Sequence, residues 1–330
     1  MQSSFPSVSD DHLRHRAVVL EIEESNAMRR IRSSLPVVCL TLAFTASCGA
    51  SPHAVGHEAR TGLAPASIMG QPDRPIAGPQ GAVGQFVVEC ELSHVAADDP
   101  IVFPGQPGAS HLHAFFGNTA VDANSTPAEL LSAPTSCDDA RDTAAYWVPV
   151  LIDDGEVVAP IFAVAYYRAG WGVEPSSVRA YPHGLVIVAG DPQATEAQPV
   201  SVVAWSCGNG SRRAVLPPAC STGAELRLDV TFPDCWDGVH TDVPGHREHM
   251  RYSKSGSCPV SHPVPVPQLV LSVVYPVTGE ATAMRLASGS LLSGHADFMN
   301  AWDQQALEDE VDLCIRQENV CRISSGRMPT

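Results

Sequence analysis

Lysine is almost missing from this chain: Lys254 is the only one in 330 residues, and arginine supplies the rest of the 20 basic groups. One lysine leaves a single candidate for Schiff-base or amine-nucleophile chemistry, and a GC-rich coding composition explains the bias more simply. Positive charge is scarce in general, with 36 acidic residues and a formal net charge of -16. A surface this acidic repels phosphate backbones, so nucleic acid is not an expected partner. No C-x-x-C pair occurs, which argues against cysteine-ligated zinc. There is no G-x-S-x-G elbow and no P-loop, and the stretch CGNGSRR lacks the third glycine of a dinucleotide fingerprint. Serine-hydrolase and nucleotide chemistries are therefore poorly supported, and no nucleotide cofactor is expected.

Long apolar runs are also lacking, with one short exception near the start. Met28, Arg29, Arg30 and Arg32 precede an apolar run over residues 35–46 and then small residues before Cys48. That pattern reads as a secretory signal, too short for a comfortable bilayer span. Residues 45–48, TASC, resemble a lipobox, in which Cys48 would be lipidated and become the mature N-terminus. Residues 1–47 are thus expected to be leader and signal, with Met28 as the true start. The leader holds five acidic and five basic groups, so the net negative charge belongs to the exported part. Residues 48–81 are rich in Pro, Gly, Ala and Ser without hydrophobic periodicity, the composition of a flexible tether.

Beyond the signal, eight cysteines remain: Cys90, Cys137, Cys207, Cys220, Cys235, Cys258, Cys314 and Cys321. An even count in an exported chain argues for disulfides. Proximity in sequence favours Cys207 with Cys220, Cys235 with Cys258, Cys314 with Cys321 and Cys90 with Cys137. Residues 82–330 are read as one domain. Its β-branched runs are GQFVVECEL, YWVPVLI, EVVAPIFAVAYY, GLVIVAG, SVVAWSC, ELRLDVTF and QLVLSVVY, separated by Pro and Gly turns. Short strands at this spacing predict a mostly β fold, an antiparallel β-sandwich or jelly roll, with an irregular α+β domain as the alternative. One C-terminal helix is expected from the helical spacing of Trp302, Ala306, Leu307, Val311, Cys314 and Ile315, with Asn300 as its cap. His295 and Asp297 then fall in the loop before it.

The densest stretch of reactive side chains is residues 232–259, FPDCWDGVHTDVPGHREHMRYSKSGSCP. Together with DDPIVFPGQPGASHLHAFFGN, the TSC and YWVPVL segments, CP-x-x-HPVPVPQL and HADFMNAWD, it resembles the family catalogued as domain of unknown function nineteen ninety-six. That resemblance runs in colinear order from about Val83 to Cys314 and implies a secreted protein with its site among these motifs. It implies no reaction.

The residues themselves leave several chemistries open. His111 and His113 lie two apart, which on an extended segment sends both rings to one face. His246 and His249 lie three apart and converge if the segment is helical or tightly turned, but HREHM lacks zincin spacing. With His295, these five are candidate ligands for one zinc or copper ion, which needs three or four donors from different segments. A metal-free alternative makes His111, His113, His249, Asp297 and Asp237 an acid-base set acting on extracellular polysaccharide by hydrolysis or elimination. Trp236 and Trp302 are candidate stacking surfaces for sugar, although core packing explains aromatics equally well. A simple hydrogen-bonding role is expected for His183 and His262, loop capping for His240, and solvation for His53, His57 and His94. The expected partner is an extracellular glycan or envelope component, with the membrane touched only through a lipid anchor.

Overall fold

The structure, a computed structural model, describes residues 83–208, 213–279 and 283–321. The signal segment with Met28, the lipidation candidate Cys48, the tether, His53 and His57 lie outside the described residues.

The first strand, β1 (Gln85–Ala96), organises the rest because it belongs to two sheets. Its first half pairs antiparallel with β6 (Phe162–Arg168), and its second half pairs with β2 (His113–Gly117). The register shifts between Leu92 and His94, a bulge that bends the strand from one sheet into the other. Beyond β6 follow β13 (Gln268–Tyr275), β9 (Leu226–Thr231) and β8 (Val203–Cys207). Beyond β2 follow β3 (Ala145–Pro149), β15 (His295–Met299) and β7 (Val186–Gly190). The two sheets form a nearly closed sandwich of antiparallel strands, as the alternating runs predict. All seven of those runs contain a strand, though YWVPVLI breaks at Val150 and EVVAPIFAVAYY breaks around Pro160.

Side chains alternate along each strand, so the inner faces build one continuous core. Phe86, Val88 and Cys90 of β1 point into it with Ala114, Phe116, Tyr146, Val148, Tyr167, Leu271 and Phe298. Trp302 lies in this core, 1% exposed, with its ring edge-on to Phe86 at 6.0 Å and to Tyr167 at 6.1 Å between centroids. A second apolar cluster, including Ile101, Phe115, Trp147, Val188 and Met299, covers the outer face of the β2, β3, β15, β7 sheet.

The C-terminal helix spans Gln304–Glu310 and continues as a π-helical turn over Val311–Arg316. Its cap is Asp303, whose carboxylate accepts from the Ala306 amide at 2.9 Å, and not Asn300. Asn300 is buried and donates instead to the Pro182 carbonyl. His295 and Asp297, expected in a loop, are in strand β15, because HADFM finds a partner strand on both sides.

Four disulfides form, Cys90–Cys137, Cys207–Cys220, Cys235–Cys258 and Cys314–Cys321, as proximity in sequence suggested. Bridges of this kind persist in oxidising compartments outside the cytoplasm. Among the described residues no helix is long and apolar enough to cross a membrane.

Trp302→Ala should cost about 3–5 kcal/mol, as truncation of a fully buried aromatic does, whereas Trp236→Ala, with its half-buried ring, should cost less. Chemical denaturation of both variants measures the difference.

Candidate metal centre

The pleat that builds the core also builds the site. In β2 the residues Ala114 and Phe116 face inward, so His113 and Phe115 face out. In β15 the residues Ala296 and Phe298 face inward, so His295, Asp297 and Met299 face out. β3 lies between these strands and pairs Trp147 with both Phe115 and Asp297, which puts the two outward rows on one surface. At the edge, Gly190 of β7 stands opposite His295. A Cβ there would come within 2.5 Å of the Gly294 carbonyl oxygen, so only glycine lets the strand approach this closely.

His111, His113 and His295 meet on this surface, with one ligand atom from each lying within 4.8 Å of the others. The His111 and His295 Nε2 atoms are 3.2 Å apart. Tetrahedral coordination at ~2.0–2.1 Å separates donors by roughly 3.3–3.4 Å, so this pair already has the required spacing. Backbone carbonyls fix the other two tautomers: His113 Nδ1–H donates to the Asp98 carbonyl and His295 Nδ1–H to the Ser293 carbonyl, both at 2.9 Å. In each ring that puts the lone pair on Nε2, the arrangement that outer-shell partners impose on metal-binding imidazoles, and the His295 lone pair faces His111 Nε2. His113 Nε2 is buried with no hydrogen-bond partner.

Burial keeps all three rings neutral. It lowers His111 to about 4 and His295 to about 3, and takes His113 well below the usual histidine range with further help from the two neighbouring rings. A neutral imidazole is the form that binds metal.

A carboxyl pair adjoins the rings. Asp99, His113 and Asp297 form a second close group through the shared His113. Asp297 is 1% exposed, and neither of its oxygens has a hydrogen-bond partner. Burial, reinforced by the charge of Asp99, raises it well above the ordinary aspartate value, with Arg247 opposing. Asp99 is raised by burial too, but the amides of Ile101 and Val102, both 3.0 Å from Oδ1, oppose the rise. Two other close groups contain Cys90 with Cys137 and Cys314 with Cys321. Those sulfurs are joined in disulfides and offer no thiolate.

The second histidine pair does not join the cluster. His249 is buried, and its Nε2–H donates to the Val186 carbonyl at 2.7 Å. His246 Nδ1 binds the Asp242 carboxylate at 2.8 Å. Asp237 accepts from the His240 ring and from the Val239 and His240 amides, so no hydrogen-bonded dyad links Asp237 or Asp297 to His249. His246 sits at a positive φ of 58° with its ring on Asp242, while the His249 ring is turned to Val186, so the pair does not converge.

Trp302 cannot stack on a ligand, since it is buried. Trp236 is half-buried against the core and donates its indole N–H to the His240 carbonyl at 2.6 Å. His94 is not solvated: it stacks on Phe115 at 4.7 Å and burial lowers its pKa. His262 Nε2–H donates to the Glu248 carbonyl at 2.8 Å and its Nδ1 accepts from the Ser261 hydroxyl at 2.9 Å, and His183 is exposed. Sequence reasoning overlooked Asp99 and Arg247. The readable signal for Asp99 was its place in the same colinear motif as His111 and His113.

The fold and site define a disulfide-bonded, antiparallel β domain with a buried histidine–carboxyl cluster on one sheet face. Residues 99–302 match the family described as Domain of unknown function (DUF1996), and the chain belongs to it. No curated protein and no solved structure gives a significant match.

The titrating groups predict opposing pH effects in metal-free protein. His111 has a folded-state pKa near 4 against about 6.5 unfolded, so the unfolded chain binds more protons between these values. Its contribution is present above about pH 6.5 and lost as pH falls. Asp297 works in the opposite sense. Its folded-state pKa is raised, so its contribution is present below about 3.9, the unfolded value, and is lost as pH rises through the folded value. Denaturant midpoints in chelator from pH 4 to 8 should show a smaller acid-side loss in His111→Gln and a smaller loss on the alkaline side in Asp297→Asn, each relative to wild type.

Proposed function

We propose that this chain is an exported metalloprotein holding one zinc or copper ion at His111, His113 and His295, with Asp297 as the adjoining carboxyl. In this reading it acts at the cell envelope on extracellular polysaccharide, by hydrolysis or elimination. The observation that carries the metal assignment is the convergence of three neutral imidazoles, two of them with carbonyl-fixed tautomers that put the lone pair on Nε2. Imidazole donors suit zinc and copper. The unpartnered Asp297 carboxyl supports the same reading, because a cation would favour its ionised form in a place that otherwise suppresses it.

A bound ion of this type supplies Lewis-acid activation of water or of a sugar oxygen. The chain's residues would hold and orient: Asp98 and Ser293 carbonyls fix two rings, and Asp297 adjoins His113 as a carboxyl that the ion would keep ionised. The metal-free acid-base reading is less well supported, since His249 and Asp297 are not hydrogen-bonded to each other and Asp237 is engaged by His240. His111 is the half-exposed member and marks the side from which solvent or substrate would reach the ion. The lipid anchor at Cys48 remains part of the proposal, and it would keep the domain at the membrane surface.

Elemental analysis of tag-free protein, expressed in an oxidising compartment, should give about one equivalent of zinc or copper. Replacing His111, His113 or His295 by Ala should weaken that ion by more than the ~10–100-fold typical of losing an outer-shell partner, and His249→Ala should not. Absence of metal after reconstitution with either ion would overturn the assignment. Metal without any product from an acidic or neutral polysaccharide panel would reassign the centre to metal capture.

A further inference from the structure

A separate cavity of about 200 Å³ lies where the end of β6 meets the loops around Trp171 and Ser253. That volume is well above the ~10–15 Å³ that seats one water, on the scale of a small polar group or sugar unit. Its lining includes Arg168, Trp171, Arg213, Thr231, Ser253 and Gln268. None of the histidines or aspartates of the metal centre lines it.

Arg168 is the unusual member. It is 2% exposed, and its Nε has no hydrogen-bond partner. Strand register explains why no acid is beside it: its neighbours across β1 and β13 are Gln85 and Gln268, which are neutral amides. Asp229, a carboxylate whose charge acts on it through space, already accepts from the hydroxyls of Ser272 at 2.6 Å and Ser206 at 3.0 Å. A second cation, Arg213, lines the same cavity and repels the first. Among the described residues Arg168 forms no ion pair, and a buried guanidinium facing another cation in that way is costly unless an anion completes it. In a chain with net charge -16, two arginines facing one cavity run against the general composition.

The remaining groups suit a sugar. Thr231 Oγ1 is buried without a partner, and Ser201, Ser253, Ser255 and Gln268 add hydroxyl and amide groups. Trp171, 68% exposed, offers a flat apolar face at the rim. Its loop is held in place by backbone contact: a Cβ on Gly256 would come within 2.6 Å of the Gly172 carbonyl oxygen. Both glycines have positive φ, so the crossing needs glycine on both sides. The Cys235–Cys258 bridge ties the second of these loops to β10 (Cys235–Trp236). A preorganised aromatic face beside hydroxyls and two arginines, Arg213 held by the Val200 carbonyl at 3.3 Å, is the chemistry that recognises a charged sugar.

We infer that this cavity binds an anionic saccharide unit, its carboxylate or sulfate on Arg168 and Arg213 and its ring against Trp171. The site is independent of the ion, so it holds glycan whether or not the metal reading stands. Guanidinium pairs accept either oxyanion in the same forked geometry, and the experiment separates the two sources.

The test is calorimetric titration of the disulfide-intact chain, in chelator, with oligogalacturonate, with a sulfated galactan oligosaccharide and with a neutral glucan oligosaccharide of equal length. The expected result is binding of one or both acidic oligosaccharides and none of the neutral one, with Trp171→Ala and Arg213→Ala each weakening binding about tenfold or more. These two side chains are exposed or half-exposed, so their loss leaves the core intact, and a denaturation curve confirms folding. No binding of either acidic oligosaccharide, equal binding of the neutral one, or unchanged binding in both cavity variants would overturn the inference.

Discussion

The hydrogen-bonded ladder of β2, β3 and β15 is the constraint on which both core and site depend. A strand alternates its side chains strictly, so every residue these strands commit to the core forces its neighbour to the other face. Phe116 and Phe298 are sealed inside with Tyr146 and Trp302, and the same ladder holds His113, His295 and Asp297 outside, over Trp147. A slip of one residue in β15 would put an aspartate and a histidine in the apolar core. Core and cluster therefore specify one register together.

That outer face carries an electrostatic cost. Three imidazoles and two carboxyls lie close together, largely out of water, and His113 Nε2 and both Asp297 oxygens have no partner. Buried polar groups without partners destabilise a fold by roughly 1–3 kcal/mol each. The rest of the molecule offsets this with a large shared core and four disulfides, each worth about 2–4 kcal/mol. Strained or unsatisfied groups that persist in this way mark functional positions more often than structural ones. The same reasoning applies to Arg168 on the other sheet, where an unpaired cation is buried beside hydroxyls.

Much of the fold was readable because apolar alternation and cysteine proximity are local signals. GLVIVAG and QLVLSVVY could hardly be anything but buried strands, and each cystine joins cysteines close in sequence relative to the alternatives. The strands that carry the site, HAFFG and HADFM, were harder to read as strands, since five residues with one polar face resemble a loop. His111 and His113 could be paired from their spacing. Their meeting with His295, 184 residues away from His111, is set by strand order, which no single sequence displays. His246 and His249 carried the stronger local density of histidine and yet turned elsewhere, because a positive φ at His246 and the Val186 carbonyl decide their directions. Trp171 lies between two glycines in AGWGV, a context that excludes it from a regular strand, and its exposure follows from that turn.

Crystallographic anomalous diffraction at the absorption edge of the bound metal tests the central claim most directly. One strong peak is expected about 2.0–2.1 Å from the Nε2 atoms of His111, His113 and His295, with an Asp297 oxygen turned toward it. A peak on His246 and Asp242, or none in protein soaked with zinc or copper, would contradict it.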